Sequence, residues 1–388
     1  MSHAKPTPVG GNLWNGTTRV LMLFAVLGIG LTIWRFMVGL GPSTGLSDGY
    51  PWGIWIAFDV VTGTALGCGG YAIAFLVYVA NRGRYHALVR PALLTSALGY
   101  TIAALAIVID VGRPWFIWRI PVSVGHWNLN SALLEVALCV MTYVLVLWIE
   151  LSPAFLEKSK NAAAASLARF LDRIMVFIVA LGLLLPTMHQ SSLGSVIMLA
   201  GPRLHPLWQT QWLPLLFLIS CIAMGYAIVV IESTLSSRAF GRAREDRMLA
   251  TLSRTIAFVL LAYVALRLGA VVAGGKAPLL LGAGAMSVLF WLEIALFAVP
   301  ALVLLARGDA IRIGDMYRMA LTVLVAGALY RFDAYLVAFS PSAGWSYFPS
   351  VPELLMTVGL VALEILVFIA IVRKFPILGG TVAKTAAR

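Results

Sequence analysis

Five polar side chains fall within six consecutive positions of an otherwise apolar stretch near the middle of the chain. The positions are 187–192, directly after Pro186, and they include His189 and Gln190. An imidazole beside an amide and hydroxyls can hydrogen-bond the oxygens of a small molecule. A proline removes one helical hydrogen bond, so we expect a broken helix here, packed against protein or a wet cavity. A small-molecule site and ordinary structural hydrogen bonding both remain open.

Two carboxylates, Asp59 and Glu135, occur in other apolar stretches of the chain. Inserting a charged side chain at bilayer depth costs at least about 2.5 kcal/mol of free energy, so each one is expected to have an interaction partner or a functional role. At 1.5 Å per residue, Asp59 lies about 10 Å along a helix from Trp52, and Glu135 lies at a similar depth in its own helix. Water reaches that depth, so we expect both carboxylates to exchange protons and to deliver them to a bound molecule.

Four further charged residues, Glu293, Arg331, Asp333 and Glu364, lie near the middle of three later apolar stretches. One cation beside carboxylates lowers the cost of burying each of them, which would make the four a neutral structural network. Buried ionisable groups also form proton relays in membrane proteins. The sequence leaves both interpretations open, and the four residues are our candidates for a proton path.

The composition indicates which elements must hold these residues. Of the 388 residues 61% are hydrophobic and 11% charged, and the mean hydropathy is +0.93. Soluble domains are roughly a quarter charged, so the chain belongs in a membrane, where each helix needs roughly 20 apolar residues. We predict an all-α polytopic membrane protein that forms a single integral membrane domain over 1–388. Its ten transmembrane helices are predicted near 20–40, 52–80, 91–111, 129–151, 171–200, 212–235, 252–273, 279–305, 317–340 and 352–375.

The positive charges are distributed very unevenly between the two sides of such a protein. Of the 28 Lys and Arg residues, 21 fall in the termini and in alternate loops, four fall in the other loops, and three lie inside apolar stretches. This is the positive-inside pattern, so we expect both termini in the cytoplasm and the protein in the bacterial inner membrane. The net charge of +12 therefore indicates membrane lipid as the surroundings, with no nucleic acid as a partner.

The residue types that hold redox centres are scarce and scattered. Cys68, Cys139 and Cys221 lie in three different predicted helices, without the C-x-x-C spacing of a cluster or zinc site. A b-type haem held by two histidines needs both of them inside the membrane, facing each other. Only one of the five histidines lies well inside a predicted helix; the five are His3, His86, His126, His189 and His205. We therefore expect no haem, no iron–sulfur cluster and no metal.

Several longer sequence motifs resemble those of the integral membrane subunits of the NrfD/PsrC superfamily. Within that superfamily, they most resemble the HybB-type anchors of periplasmic nickel–iron hydrogenases. The resemblance runs nearly from end to end. It rests on PWGIWIAFD at 51–59, CGG at 68–70, NRG at 81–83, RPALL at 90–94, NLNS at 128–131, the stretch 186–192, HPLW at 205–208 and YFP at 347–349.

This resemblance implies a fold of two four-helix bundles with flanking helices and a quinone pocket on the periplasmic side of the first bundle. Asp59, Tyr100, Glu135 and His189 match the pattern of that pocket. Tyr100, His189 and Gln190 are then the expected quinone ligands, with Glu135 or Asp59 passing the proton. For Tyr100, an ordinary buried tyrosine satisfied by a neighbour is the alternative.

The resemblance also implies the partners and the function. We expect a periplasmic ferredoxin-like iron–sulfur subunit and hydrogenase small and large subunits, with electrons passing between them and membrane quinone, menaquinone or ubiquinone. Proton movement is a further expectation, and the chain would have no catalytic activity alone. Three alternatives stay open: a sulfur or cytochrome redox complex of the same superfamily, an ion-coupled transporter, for which buried carboxylates are equally natural, and a purely structural anchor.

Overall fold

Ten helices long and apolar enough to cross a membrane make up most of the chain. A computed structural model describes residues 6–159, 161–242, 245–282 and 284–379, and these contain no β-strand apart from an isolated bridge between Leu204 and Phe339. This confirms the predicted all-α polytopic fold. The helices are α1 Gly16–Val38, α2 Trp55–Val79, α3 Gly83–Asp110, α4 Ala132–Leu156, α5 Ala162–Met198, α6 Leu213–Ala239, α7 Asp246–Ala273, α8 Ala285–Arg307, α9 Ile313–Val337 and α10 Val351–Lys374.

The helices form two four-helix bundles with a flanking pair. Helices α2–α5 pack together in the first bundle, and α6–α9 pack together in the second. Helix α6 also packs against α2 and α5, and α9 packs against α2, so these helices join the bundles. Helices α1 and α10 pack on each other, and α10 packs against α3 of the first bundle. The arrangement agrees with the bundle organisation that the resemblance implied.

Small residues set the closest helix contacts. A Cβ added to Gly28 of α1 would come within 2.7 Å of the Cα of Gly359 on α10, so the two backbones are in direct contact. In the same way, a Cβ on Gly225 of α6 would come within 2.6 Å of the carbonyl oxygen of Cys68 on α2. Lipid tails give little hydrophobic drive for helix association, and such close backbone packing supplies the attraction instead.

Helix α5 is unbroken, and the expected interruption after Pro186 is wrong. The helix has 37 residues and begins at Ala162, nine residues before the predicted start at 171. Pro186 lies inside this helix, where it removes one backbone hydrogen bond. The Thr187 hydroxyl donates to the carbonyl oxygen of Leu183 at 2.8 Å, which adds a bond close to the one the proline removes.

Irregular backbone occurs in α2 and α9 instead. Residues Trp55–Thr62 of α2 and Asp333–Val337 of α9 have π-helical hydrogen bonding. These segments contain Asp59 and Asp333, which are buried in the protein interior. Wide π turns are rare and are frequent at functional sites. The hydrophobic pattern of the sequence carries no signal for them, because a single wide turn leaves the apolar composition of a span unchanged.

We call the end of the molecule that holds Trp52, Ser131 and Arg203 the cation-poor face, and the opposite end the cation-rich face. The loop before α10 fixes the start of α2 at the cation-poor face. The Tyr347 hydroxyl accepts from the backbone N–H of Ile54 at 2.7 Å and donates to Glu353 at 2.9 Å. Burial, followed by the nearby Glu353 carboxyl, raises the pKa of the Tyr347 hydroxyl, so it stays protonated in this role.

Candidate functional site

His189 and Gln190 lie at the centre of the protein, where α5 faces α2. Both residues are fully buried. The His189 Nε2 atom lies 3.2 Å from the Thr64 hydroxyl, and Gln190 Nε2 donates to the same hydroxyl at 3.0 Å. Within the part of the chain that the structure describes, His189 Nδ1 is buried and has no hydrogen-bond partner. A buried imidazole nitrogen without a partner is costly, which makes this ring a candidate for binding a ligand.

Arg331 of α9 joins this cluster from the second bundle. Its Nη2 atom donates to Gln190 Oε1 at 3.2 Å, and its Nη1 atom donates to the Ser220 hydroxyl at 3.0 Å. Its Nε atom donates to the carbonyl oxygen of Val61 at 3.0 Å. These acceptors are neutral, and the structure records no ion pair between Arg331 and any described carboxylate. The guanidinium is therefore held by uncharged oxygens contributed by α2, α5 and α6.

Tyr100 of α3 packs against the other side of His189. The two ring centres are 5.7 Å apart in an edge-on arrangement, and Tyr143 of α4 meets Tyr100 edge-on at 4.5 Å. The Tyr100 hydroxyl lies 3.6 Å from the Cys68 sulfur. The structure thus brings together Tyr100, His189 and Gln190, the three residues predicted to bind quinone.

Glu135 lies on α4, one turn below its beginning. It is half-buried, and Ser131, Cys139 and Tyr143 recur on the same face at intervals of four residues. That face leads from the cation-poor end of the bundle towards Tyr100. Glu135 therefore lies between the helix end and the buried aromatic cluster, in the first bundle as expected.

Asp59 faces away from His189. Its carboxylate accepts from the Thr357 hydroxyl of α10 at 2.8 Å, and Glu364 lies two helical turns further along α10. The extra residue of the π segment rotates this part of α2, so Asp59 and Thr64 point to different neighbours. The sequence grouped Asp59 with Glu135 and placed Glu364 in a separate set, whereas the structure brings Asp59 to α10, the helix that contains Glu364.

A cavity of about 330 Å³ opens at the cation-poor face between the ends of α2, α4, α5 and α9. Two of its lining residues, Leu133 and Leu199, have 64% and 70% of their surface exposed, so exposed apolar side chains border the opening. Val196 lines its wall and is seven residues, roughly 10 Å, along α5 from His189. The polar atoms around the opening come from Trp52, Asn128, Ser131 and Arg203.

A second buried cluster lies between α7 and α8 and contains Glu293, one of the predicted residues. Glu293 binds Arg267, with 3.0 Å between Oε1 and Nε, and accepts from the Tyr263 hydroxyl at 2.7 Å and the Trp208 indole at 3.1 Å. Asp333 is buried, and neither of its carboxylate oxygens has a hydrogen-bond partner among the described residues. The neutral network expected around Arg331 is therefore absent from the described residues, since Glu293 is bound to Arg267.

Sequence reasoning missed three residues of these clusters. Thr64, Ser220 and Tyr263 supply essential hydrogen bonds to His189, Arg331 and Glu293. Hydroxyl residues are frequent in apolar helices, so no signal distinguished these three. The ion pair between Arg267 and Glu293 could have been predicted from the sequence, because each buried charge in a span requires a partner.

The chain is similar in sequence to membrane subunits of two redox enzymes. It is 42% identical over 386 residues to the probable Ni/Fe-hydrogenase 2 b-type cytochrome subunit of Escherichia coli K12, covering 97% of this chain and 96% of that protein. It is 32% identical over 215 residues to the integral membrane subunit of menaquinone reductase from Nitratidesulfovibrio vulgaris, covering 53% of this chain and 49% of that protein.

The name of the Escherichia coli relative corrects one prediction. It describes a b-type cytochrome subunit and so implies haem, which contradicts the expectation that this chain binds none. Of the four described histidines, His189 lies well inside a span, and its Nδ1 atom, which has no partner among the described residues, is the nitrogen that would be available to a haem iron. The other three, His86, His126 and His205, lie at helix ends or in loops, so the described residues do not fit a bis-histidine haem.

The family comparison matches the part of the chain that forms the two four-helix bundles. The family model described as polysulphide reductase, NrfD, matches residues 42–337, a segment that contains both four-helix bundles and leaves α1 and α10 outside. Every residue of the buried cluster around His189 lies inside it. The chain therefore belongs to the NrfD family of integral membrane subunits.

Proposed function

We propose that the chain is a quinone-reactive membrane subunit that passes electrons between a redox partner at its cation-poor face and quinone in the bilayer. The similarity to a hydrogenase subunit over nearly the whole chain, and to a menaquinone reductase subunit over about half of it, supports this proposal. The partners are a periplasmic ferredoxin-like iron–sulfur subunit and hydrogenase small and large subunits. The chain resides in the bacterial inner membrane with both termini in the cytoplasm.

The observation that carries the proposal is the cavity bordered by Leu133 and Leu199. An isoprenoid quinone moves within the bilayer, so its site needs an opening towards lipid and polar groups for its head. The cavity has both, with Asn128, Ser131 and Arg203 at its rim. Helix α5 leads from its wall to His189, whose free Nδ1 supplies an unsatisfied polar atom below it.

The proposed roles follow from the chemistry of quinone reduction, which adds two electrons and two protons to a pair of carbonyl oxygens. His189 holds the head group, and Tyr100 and Gln190 complete the binding site as the hydroxyl and amide next to it. Glu135 supplies a proton, because it lies between the cavity rim and the Tyr100 ring on one face of α4. Asp59 supplies protons from the α10 side, where it contacts Thr357.

Proton movement beyond the quinone site is a second part of the proposal. Glu364 lies on α10, the helix that Asp59 contacts. Arg331 connects the His189 cluster to the second bundle through Gln190. Asp333 and Glu293 continue the polar groups into that bundle, where the Asp333 oxygens have no described partner. These four residues are the proposed proton path, because buried ionisable groups of this kind form relays in membrane proteins.

Binding of a quinone analogue to the purified subunit tests the site. His189→Ala removes the imidazole, so we expect a loss of affinity of about 1–3 kcal/mol, the usual cost of a lost hydrogen bond together with an unsatisfied buried partner. The measurement is a binding isotherm with a fluorescent or calorimetric readout. His126→Ala is the matched control, since His126 is exposed in the loop before α4. Unchanged affinity in a correctly folded His189→Ala variant would remove His189 from the site.

A further inference from the structure

Two of the three cysteines meet at the junction between the bundles. Cys68 of α2 and Cys221 of α6 are fully buried, and both belong to one packed cluster with Met224 and Tyr71. The two side chains therefore lie in the same packed region, where α2 contacts α6. The proposed function gives neither of them a role.

The backbones of α2 and α6 are in contact at this point. A Cβ on Gly225 would come within 2.6 Å of the Cys68 carbonyl oxygen, and a Cβ on Gly69 would come within 3.5 Å of the Gly225 carbonyl oxygen. Cys221 lies one helical turn from Gly225, on the same face of α6. A disulfide requires its two Cα atoms to lie within about 7 Å, and such close backbone packing favours that distance.

The surroundings of the thiols suit redox chemistry. Arg331 donates to Ser220 at 3.0 Å and approaches the Met224 sulfur at 3.4 Å, so its charge lies beside Cys221. The described residues provide Arg331 with no carboxylate partner, and a thiolate is the nucleophilic form of cysteine that a nearby cation favours. The Tyr100 hydroxyl, 3.6 Å from the Cys68 sulfur, connects the pair to the proposed quinone ligands.

We propose that Cys68 and Cys221 are a dithiol that quinone oxidises reversibly to a disulfide linking the two bundles. The proposal rests on the proposed function for the presence of quinone beside Tyr100. The role of the pair is separate from electron transfer to the partner subunit. The disulfide links α2 covalently to α6 when the quinone is in its oxidised form. A chemical reductant reopens the pair.

The reaction balances without a further reagent. Two S–H bonds break and one S–S bond forms between Cys68 and Cys221. The two electrons and two protons that the thiols lose pass to the quinone, whose two carbonyl oxygens become the hydroxyls of the quinol. The reverse reaction returns them, or a dithiol reductant supplies two electrons and two protons through thiol–disulfide exchange.

Differential alkylation of the full-length chain tests the pair. The reduced protein is incubated without oxygen with a ubiquinone analogue whose ring is fully substituted, which prevents addition of thiols to the ring. It is then denatured in N-ethylmaleimide, digested and analysed by mass spectrometry. We expect complete loss of alkylation at Cys68 and Cys221, and a linked peptide that dithiothreitol separates. Cys139 is the internal control, since it lies on α4 in a different packed cluster and must stay alkylated.

A parallel sample treated with diamide, a thiol oxidant, separates this proposal from the proposed function. Linkage by both reagents supports the dithiol and its oxidation by quinone. Linkage by diamide alone overturns quinone as the oxidant, and linkage by neither overturns the dithiol, while the binding isotherm with His189→Ala still tests the quinone site. In Cys221→Ser, Cys68 must remain alkylated under both treatments; a linked peptide from that variant would show that Cys68 pairs elsewhere.

Discussion

Two buried arginines show how differently a charge can be held inside a membrane protein. Arg267 is neutralised by Glu293 at 3.0 Å, whereas the hydrogen bonds recorded for Arg331 go to neutral acceptors. An ion pair of the first kind is costly to break, because removing either partner leaves a buried charge. A cation held by amide and carbonyl oxygens can interact with another anion, which is the property that a redox or proton-moving site requires.

Arg267→Ala is expected to destabilise the second bundle strongly. Breaking a buried pair by removing one partner costs about 3–5 kcal/mol, because Glu293 remains buried without its cation. The measurement is the free energy of unfolding of the purified chain in a mixed-detergent titration.

Arg318→Ala is the matched control for that measurement. The Arg318 side chain is 73% exposed, and its pair with Asp315 spans a single helical turn. Exposed pairs of this kind are worth about 0–1 kcal/mol. Equal losses for the two variants would contradict the structural assignment of the Arg267–Glu293 pair.

At the scale of the elements, the sequence predicted the ten spans because each needs a long apolar run, and composition alone reveals such a run. It failed where a local bond decides the outcome. Helix α5 continues through Pro186, where the Thr187 hydroxyl bonds the Leu183 carbonyl oxygen, and α2 widens at Asp59 without any proline. The contact of Asp59 with α10 was also beyond reach, because it depends on that wide turn and on a helix 298 positions away.

The contact between α1 and α10 gives a prediction for a single helix interface. Gly28→Ala places a methyl group 2.7 Å from the Gly359 Cα atom, so the helices must separate, at a cost of about 1–3 kcal/mol. The thermal midpoint of the purified chain should fall. Gly30→Ala, on the same helix with no neighbour within 4 Å of its Cβ, should leave the midpoint unchanged. A smaller loss for Gly28→Ala than for Gly30→Ala would rule out this packing.

At the scale of the whole molecule, the family segment 42–337 contains both bundles, and Arg331 links them through Gln190. The candidate site therefore depends on both halves, although its proposed ligands come from the first bundle. Resemblance placed Tyr100, His189 and Gln190 in one region, and the structure brings them together. Their hydrogen-bond partners, Thr64 above all, could not be predicted. Which side chains meet depends on how each helix is rotated about its axis, and the apolar pattern of the sequence does not specify that rotation.

The charge distribution gives a prediction about the whole chain in its membrane. Reporter fusions after Arg90 and after Arg203 lie on opposite sides of an odd number of spans, α3, α4 and α5. The positive-inside rule places the first fusion in the cytoplasm and the second in the periplasm. Alkaline phosphatase and green fluorescent protein fusions measure the two compartments. Activity of both fusions on one side would contradict the ten-span topology.

Glu135→Gln tests the central claim, quinone reduction with proton delivery from α4, most directly. The substitution keeps the shape and hydrogen bonding of the side chain and removes its proton exchange. In the assembled complex, quinone-linked turnover should fall at least about tenfold, as expected for loss of a general acid–base group, while reduction of a dye by the partner subunits alone persists. The measurement is the rate of both reactions across pH. Normal assembly with full quinone-linked activity at every pH would contradict the account.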